Sequence, residues 1–512
     1  MSDAFEATLG PGFRSWDRDD DAWRRLEAAG RDAANLVSAE GATASWRLLL
    51  RDLGPVFSGF GRYLATRADR IPAGLRSDLA AVEDLVTPAP WLEIRDTIES
   101  ERGCRLDRIF VEIEEAPIEV RFPTQSHRAW LSPTDPVIVT CVAPSFEARI
   151  DRDLSRLPLL EPVMARVSGG SSAFGALVAD YRAVLARRAN IGPDVDAGIA
   201  VTGDARRFPQ LLHRRAHAAL CSRRVSVWDD IATVAPDSPG FDPAAAGEHA
   251  CRTWLRQALL GSAFPEETTV GDFMIAGRRQ VALGGRLFTA ISAKTQDHLQ
   301  GYLVAVAAGD PDLALTFLLR ELVAGPSADP TGLRRRFRHS WSTDLDGAGG
   351  SELLAQMLLH WRLAIDHGYR PEAHLVSFYR GCLAAASAAT EIGAAPDVLR
   401  DALDGLQLRI LTRQAETFIG FSPTSARSVQ EAAWQLATRI TTLPVAGPSQ
   451  GGRPAPSLAT TGSLLLVLAA LGVAAPRLAA WGAGWGEPAA AAAFAAIGAW
   501  TLRGILGRRK AT

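Results

Sequence analysis

Residues 53 to 72 read LGPVFSGFGRYLATRADRIP. Apolar residues recur at spacings of three and four through Trp46 to Leu64 and again through Leu79 to Leu85, so a helical pattern runs through residues 20 to 100. Outward from this stretch the texture changes. Ile109 to Ile113 and Val137 to Val142 are short alternating runs punctuated by Pro and polar residues, which predicts a small sheet. Helix is expected again at Phe174 to Ala189 and strands at His217 to Val227. A long helical stretch is then expected from His249 to about Thr441, with one strand pair near residues 273 to 283. The predicted class is α+β: a small sheet lobe, then a large helical lobe.

The stretch from Leu53 to Pro72 resembles the signature extension of the UbiB (aarF-domain) atypical kinases, LGPxFxKxGQxxSTRxDxxP. It breaks at the functional positions: the family's Lys falls on Gly59 and its Gln on Arg62. The resemblance keeps register downstream. Pro117 and Ile118 open what is similar to the family's Ala-rich nucleotide loop, PIAAASxxQVHRA, and Gln125, His127, Arg128 and Ala129 match its end. Glu119, Val120, Arg121 and Phe122 stand where small residues would let backbone approach phosphate. The strand motif VAVKVxxP aligns with Val137 to Pro144, which puts Thr140 at the nucleotide-pairing Lys. The catalytic loop FHADPHPGN aligns with Phe264 to Asp272, placing Glu267 at the catalytic Asp and Asp272 at the metal-binding Asn. The Asp of the metal-binding DFG has become Gly284. The resemblance implies a protein-kinase-like fold with an N-terminal helical extension and a setting in isoprenoid-lipid or quinone metabolism at a membrane.

Phosphoryl transfer asks a protein for a Lys on the phosphates, magnesium ligands and a base that orients the acceptor. Lysine occurs only at Lys294 and Lys510, and asparagine only at Asn35 and Asn190, so no shift of register restores the first-lobe Lys or the catalytic-loop Asn. Removing one such electrostatic group from a site costs about 2.7–4 kcal/mol in barrier. The site is therefore expected to be degenerate at Gly59, Arg62, Thr140, Glu267, Asp272 and Gly284. Glu267 and Asp272, with Glu266 beside them, remain candidate ligands for a hard divalent cation, and Arg121 a candidate phosphate contact. No cofactor is expected, or at most Mg-ATP held without turnover. The first functional expectation is a non-catalytic pseudokinase that binds a prenyl lipid or lipid-biosynthesis enzymes. A divergent ATPase with relocated charges and a structural membrane tether are the alternatives.

The formal net charge of −2 gives no field for nucleic acid. Five scattered cysteines without CxxC spacing exclude a disulfide framework and a zinc knuckle. His213 and His217, like His360, His367 and His374, have spacings that could share a helix face, but flanking arginines in one series and Gly368 and Pro371 in the other favour structural roles. Gly169 to Ser172 lacks the P-loop pattern, and Arg334, Arg335, Arg336 and Arg338 read as a solvated helix start.

The N-terminus, MSDAFEATLG, lacks the basic and apolar regions of a signal peptide. Near the other end, a Pro/Gly/Ser-rich stretch precedes apolar runs from Leu458 to Ala475 and from Pro488 to Leu502, with Trp481, Trp485 and Trp500 suited to an interface. Arg453 before them and Arg503, Arg508, Arg509 and Lys510 after them favour a transmembrane hairpin with both ends in the cytoplasm; an Ala-rich soluble hairpin is the other reading. The expected plan is a helical extension (1–100), a small lobe (101–230), a helical lobe (231–442), a linker (443–457) and the hairpin (458–506). A cytoplasmic-membrane location and homo-oligomerisation complete the expectations.

Overall fold

The computed structural model describes residues 47 to 406, apart from positions 48, 68–69, 72, 83–85, 162–173, 207, 209–210, 213, 234–240, 277–279, 308 and 344–351. The linker and hairpin expected at 443–506 lie outside the described residues. Among the described residues no helix is long and apolar enough to cross a membrane. The chain divides into two compact units, residues 1–306 with 311–403 and residues 307–310 with 404–512; the sheet and the cavities lie in the first.

Three helices come first: α1 (Pro55–Ala65), α2 (Ala73–Ala80) and α3 (Trp91–Arg102). Strands β1 (Glu112–Ile113), β2 (Glu119–Arg121), β3 (Thr124–Ser132) and β4 (Asp135–Val142) follow, then helices α4 (Pro144–Leu154), α5 (Phe174–Arg188) and α6 (Gly192–Asp204), and strand β5 (Val225–Asp229). After α7 (Pro243–Leu260) come β6 (Phe264–Glu267), β7 (Phe273–Ala276), β8 (Gln280–Leu283) and β9 (Arg286–Thr289). The remainder is α8 (Ala293–Ala307), α9 (Pro311–Leu318), β10 (Leu322–Ala324), α10 (Pro330–Thr343), α11 (Glu352–Asp366), β11 (Tyr369–Pro371), α12 (Ala373–Ile392) and α13 (Val398–Asp404).

The five-stranded antiparallel sheet runs β1-β3-β4-β5, with β2 also paired to β3. Its register follows from strict alternation in β4: Val137, Val139 and Cys141 are fully buried, and Ile138 and Thr140 take the opposite face. Val225 and Val227 of β5 continue the buried row, which joins Phe57 and Phe60 of α1, Ile94 and Ile98 of α3 and Tyr181 of α5 in one core. The N-terminal helices are thus part of the sheet lobe's core.

Three sequence expectations are corrected. The run Ile109 to Ile113 pairs only over Glu112 and Ile113, because a 3-10 turn at Leu106–Arg108 buries Leu106 and Phe110 and leaves Val111 exposed. The strand expected from His217 lies at Val225–Asp229, after a 3-10 turn at Ala218–Leu220. Two further antiparallel pairs, β6 with β9 and β10 with β11, accompany β7 with β8 in the stretch read as helical with one strand pair. These strands are three or four residues long, too short for periodicity to reveal.

In the helical lobe α7 packs along α12, and Trp361 stacks on Tyr379 at 4.8 Å. His360 is buried against Phe337 and its Nδ1 meets the Tyr302 hydroxyl at 3.0 Å; burial pushes its imidazole down to about 3, so it is a neutral core residue. Glu321 ties this lobe together, accepting from His298 of α8 and, at 2.6 Å, from Nε2 of His374 on α12. Burial alone would raise the Glu321 carboxyl, but the hydrogen bonds from His374 and His298 hold it below its usual range, and Glu321 in turn raises His374. A histidine raised in the folded state adds stability fully present below its unfolded pKa and lost as pH rises through the folded value. His374→Gln should therefore cost about 1.5 kcal/mol below ~pH 6.5, fading at higher pH. Urea denaturation across pH checks this; a gap that widens with pH would refute the assignment.

Candidate functional site

The position of the Glu266 and Glu267 carboxylates is fixed by packing behind them. The Trp254 indole of α7 donates to Pro265 O at 2.9 Å and packs between Phe264 and Phe378. Gly381 lets that ring close on α12, since a Cβ there would lie 2.3 Å from it. Arg380, the neighbour of Gly381, is thereby brought against β6, where it donates to Glu266 at 2.9 Å and Glu267 at 3.1 Å. The end of α5 supplies two more cations: Arg187 reaches Glu266 at 2.7 Å, and Arg188 grips both oxygens of Glu267 at 2.5 and 3.0 Å. Thr289 Oγ1 donates to Glu266 at 2.5 Å. Burial alone would push the Glu267 carboxyl up; Arg188 and Arg380 together outweigh it and hold it down at about 2.

Opposite, the turn between β2 and β3 is fastened to the 3-10 turn at Val270–Asp272. Arg121 donates to Asp272 Oδ2 at 2.7 Å and to Thr269 Oγ1 at 2.7 Å, and pairs with Glu119 at 2.5 Å. Asp272 Oδ2 also accepts from Thr269 N and Oγ1 at 2.8 and 2.9 Å, a capping box. Arg286 of β9 reaches back to the same turn, donating to Arg121 O at 3.2 Å and to Phe122 O and Thr124 Oγ1 at 3.4 Å. Burial first, then repulsion from Arg121 and Arg188, lowers the Arg286 guanidinium to about 10.

The other sequence-predicted positions fall as follows. Gly59 is buried on α1 beneath Tyr181, whose hydroxyl donates to Val56 O at 2.8 Å; a Cβ on Gly59 would lie 2.5 Å from that oxygen. Arg62, one turn on, donates to Val82 O at 3.2 Å. Thr140 lies in a row of hydroxyls across three strands, between Ser126, 2.8 Å away, and its β5 partner Ser226. Gly284 donates its amide to Asp272 O at 2.7 Å, and Gly285 adopts φ +110°. Leu287 follows at φ +57°, held there by Asp194, which accepts from the Leu287 and Phe288 amides at 2.9 Å each.

Two cavities flank this arrangement. One of about 320 Å³ lies between the sheet and α6; it is lined by Thr140, Ser126, Asp194, Trp228 and Asp272 and by Arg121, Arg128, Arg214 and Arg286. The other, of about 230 Å³, is lined by Arg62, Tyr63, Arg121, Arg188, Glu266, Glu267, Thr268, Thr269, Arg286 and Arg380, among others. The structure thus unites Arg121 with Asp272 and sets Arg62 and Glu267 in one cavity, Thr140 and Gly284 in the other. Among the described residues no group of three His, Cys, Asp or Glu side chains is arranged to hold a metal. Magnesium takes carboxylate and phosphate oxygens; here Glu267 and Asp272 already carry guanidinium partners, and the donor set does not suit it.

Sequence reasoning missed Arg187, Arg188, Arg286 and Arg380, which hold the acids, and Asp194, which holds β9. Only two of the 55 basic residues are lysines, so no single arginine stands out by type. The signal that could have found Arg380 is its neighbour Gly381 within a long helical pattern.

The ABC1 atypical kinase-like domain matches residues 81–191, from ahead of α3 through β4 to the end of α5. "Probable protein kinase UbiB" of Pseudomonas paraeruginosa (strain DSM 24068 / PA7) is 24% identical over 277 residues, covering 51% of this chain and 52% of that protein. The protein of the same description from Azotobacter vinelandii is 25% identical over 272 residues, covering 51% of each. The chain thus spans about half the length of the curated relatives it matches. Among solved structures, the complex of Rv3197 with erythromycin from Mycobacterium tuberculosis matches with a TM-score of 0.45 at 14% identity, over 73% of this chain and 97% of that one.

Two measurements test the geometry. Gly59→Ala, which in an ordinary helix interior would gain about 1 kcal/mol, should instead cost about 1–3 kcal/mol by overpacking against Tyr181. The double variant with Tyr181→Phe should cost less than the sum of the singles in chemical denaturation; simple additivity would sink the contact. For Glu267, whose folded pKa is depressed, stability is present above the unfolded value of ~4.3 and lost as pH falls toward about 2. The stability advantage of the native protein over Glu267→Gln should accordingly shrink as acid is added through that window.

Proposed function

As the chain belongs to the UbiB (aarF-domain) family and carries its kinase-like α+β fold, we propose that it is a catalytically impaired member that acts by binding or scaffolding in isoprenoid-lipid or quinone metabolism. The observation that carries this reading is the Arg121–Asp272 pair, at 2.7 Å. Arg121 lies on the loop that the resemblance assigns to phosphate, and Asp272 at the position it assigns to metal. Each neutralises the other, and the turn bearing Arg121 is held down by Arg286. Thr140 offers a hydroxyl bonded to Ser126 where the family has its Lys. No step through Mg-ATP follows from these residues.

What the chain's own residues do is tie the sheet lobe to the helical lobe by ion pairs across the cleft, giving a body suited to presenting surfaces to a partner. The membrane hairpin at 458–506, with both ends in the cytoplasm, belongs to this proposal as the element that brings the body to a bilayer where prenyl lipids and their enzymes reside.

A second reading, a divergent ATPase, draws on Arg128 and Arg214 in the larger cavity with Thr140. Thermal shift and turnover separate the two. We expect no magnesium-dependent ATP hydrolysis above background and no rise in melting temperature at millimolar Mg-ATP, since a ligand present at 100 times its Kd would stabilise the fold by about 2.7 kcal/mol. Turnover abolished by Asp272→Asn or Glu267→Gln would establish the ATPase and overturn the first reading.

A further inference from the structure

We propose that the larger cavity binds a small organic monocarboxylate, with Arg214 as the clamp on the carboxylate and with the sheet and α6 as walls around an apolar body. The sheet register sets two rows of side chains on the face opposite Val137 and Val139: Arg128, Ile138 and Trp228 in one, Ser126, Thr140 and Ser226 in the other. Val195, Gly198 and Val201 of α6 line the same space. Gly198 admits the Trp228 ring, since a Cβ there would lie 2.7 Å from its edge. About 320 Å³ remains, which falls within the ~300–1,000 Å³ typical of small-molecule sites.

The polar groups on these walls are unevenly engaged. Thr140 and Ser126 bond each other at 2.8 Å, whereas the Ser226 hydroxyl has no partner among the described residues and keeps accessible surface toward the cavity. Arg214 is the second case. Its Nε donates to Asp229 O at 3.3 Å and its guanidinium lies 5.6 Å over the Trp228 ring, while its two Nη groups have no partner among the described residues and stay accessible. The acids around it are engaged elsewhere: Glu119 and Asp272 with Arg121, Asp230 with Arg128, and Asp229 with Arg215 and His217. Asp194 accepts from the Leu287 and Phe288 amides. Burial outweighs the pull of the nearby acids and lowers the Arg214 guanidinium, the sign of a cation short of counter-charge. A free fork of N–H donors matches the two oxygens of one carboxylate. With those acids close by, a dianion would meet twice the repulsion of a monoanion. Ile138, Val195 and Trp228 supply an apolar bed for the rest of the ligand.

The test is calorimetric titration of the full chain with 2-naphthoate and with its uncharged counterpart 2-naphthamide, in EDTA and without nucleotide. It is repeated on Arg214→Gln and Ser226→Val, each verified as folded by its thermal melt. We expect one saturable site for the naphthoate, with the naphthamide weaker by about tenfold or more, the worth of one charge-assisted pair. Arg214→Gln should bring the two ligands to equal affinity. Ser226→Val places a β-branched residue at home in a strand, removes the free hydroxyl and narrows the cavity. It should weaken both ligands while keeping the preference for the acid, so it remains informative if Arg214→Gln fails to fold. Absence of saturable binding, equal affinity for the two ligands in the native protein, a preference unchanged in Arg214→Gln, or native affinity in Ser226→Val overturns the proposal. Each of these results leaves the proposed loss of catalysis untouched, because that rests on ATP turnover with magnesium.

Discussion

Glu266 and Glu267, adjacent on β6, are engaged by three arginines that come from two directions: Arg187 and Arg188 at the end of α5, and Arg380 from the middle of α12. Removing charges from water is expensive, and such a cluster persists only where geometry and hydrogen bonding compensate. Here the compensation is nearly complete: Glu266 also accepts from Thr289, and Glu267 is gripped at both oxygens. The placement of α5 relative to the helical lobe depends on this knot, and with α5 goes Tyr181, which anchors α1.

The second tie, Arg121 with Asp272, works across the same gap from the sheet side. Together the two give Glu266, Glu267 and Asp272 each a guanidinium partner from another element. Buried polar networks of this sort are costly when half-satisfied and specify a single arrangement when satisfied.

The larger outline was legible in the residues. Alternation in β4 predicted the central strand, and the run from Leu53 to Pro72 predicted a buried helix and carried the resemblance. What stayed illegible was pairing at a distance. Nothing local says that Arg188 will meet Glu267 or that Arg121 will meet Asp272, residues 79 and 151 positions apart. Acids that face a loop and acids that hold a metal look alike in sequence; the difference lies in which cations the fold delivers. The short strands β6 and β9 were missed because they are held by Trp254 and Asp194 rather than by any pattern of their own.

The Gly284 amide bond to Asp272 O bears on which residues position 284 can carry. A Cβ at position 284 would lie 3.2 Å from that same carbonyl, so a larger residue there asks the turn to give by a few tenths of an ångström. Space beside Gly59 has likewise been taken by a tyrosine. At positions 59 and 284 alike, a larger residue needs a neighbour to move as well. Both glycines are thus held in place by what surrounds them, and a single exchange at either position is resisted by packing.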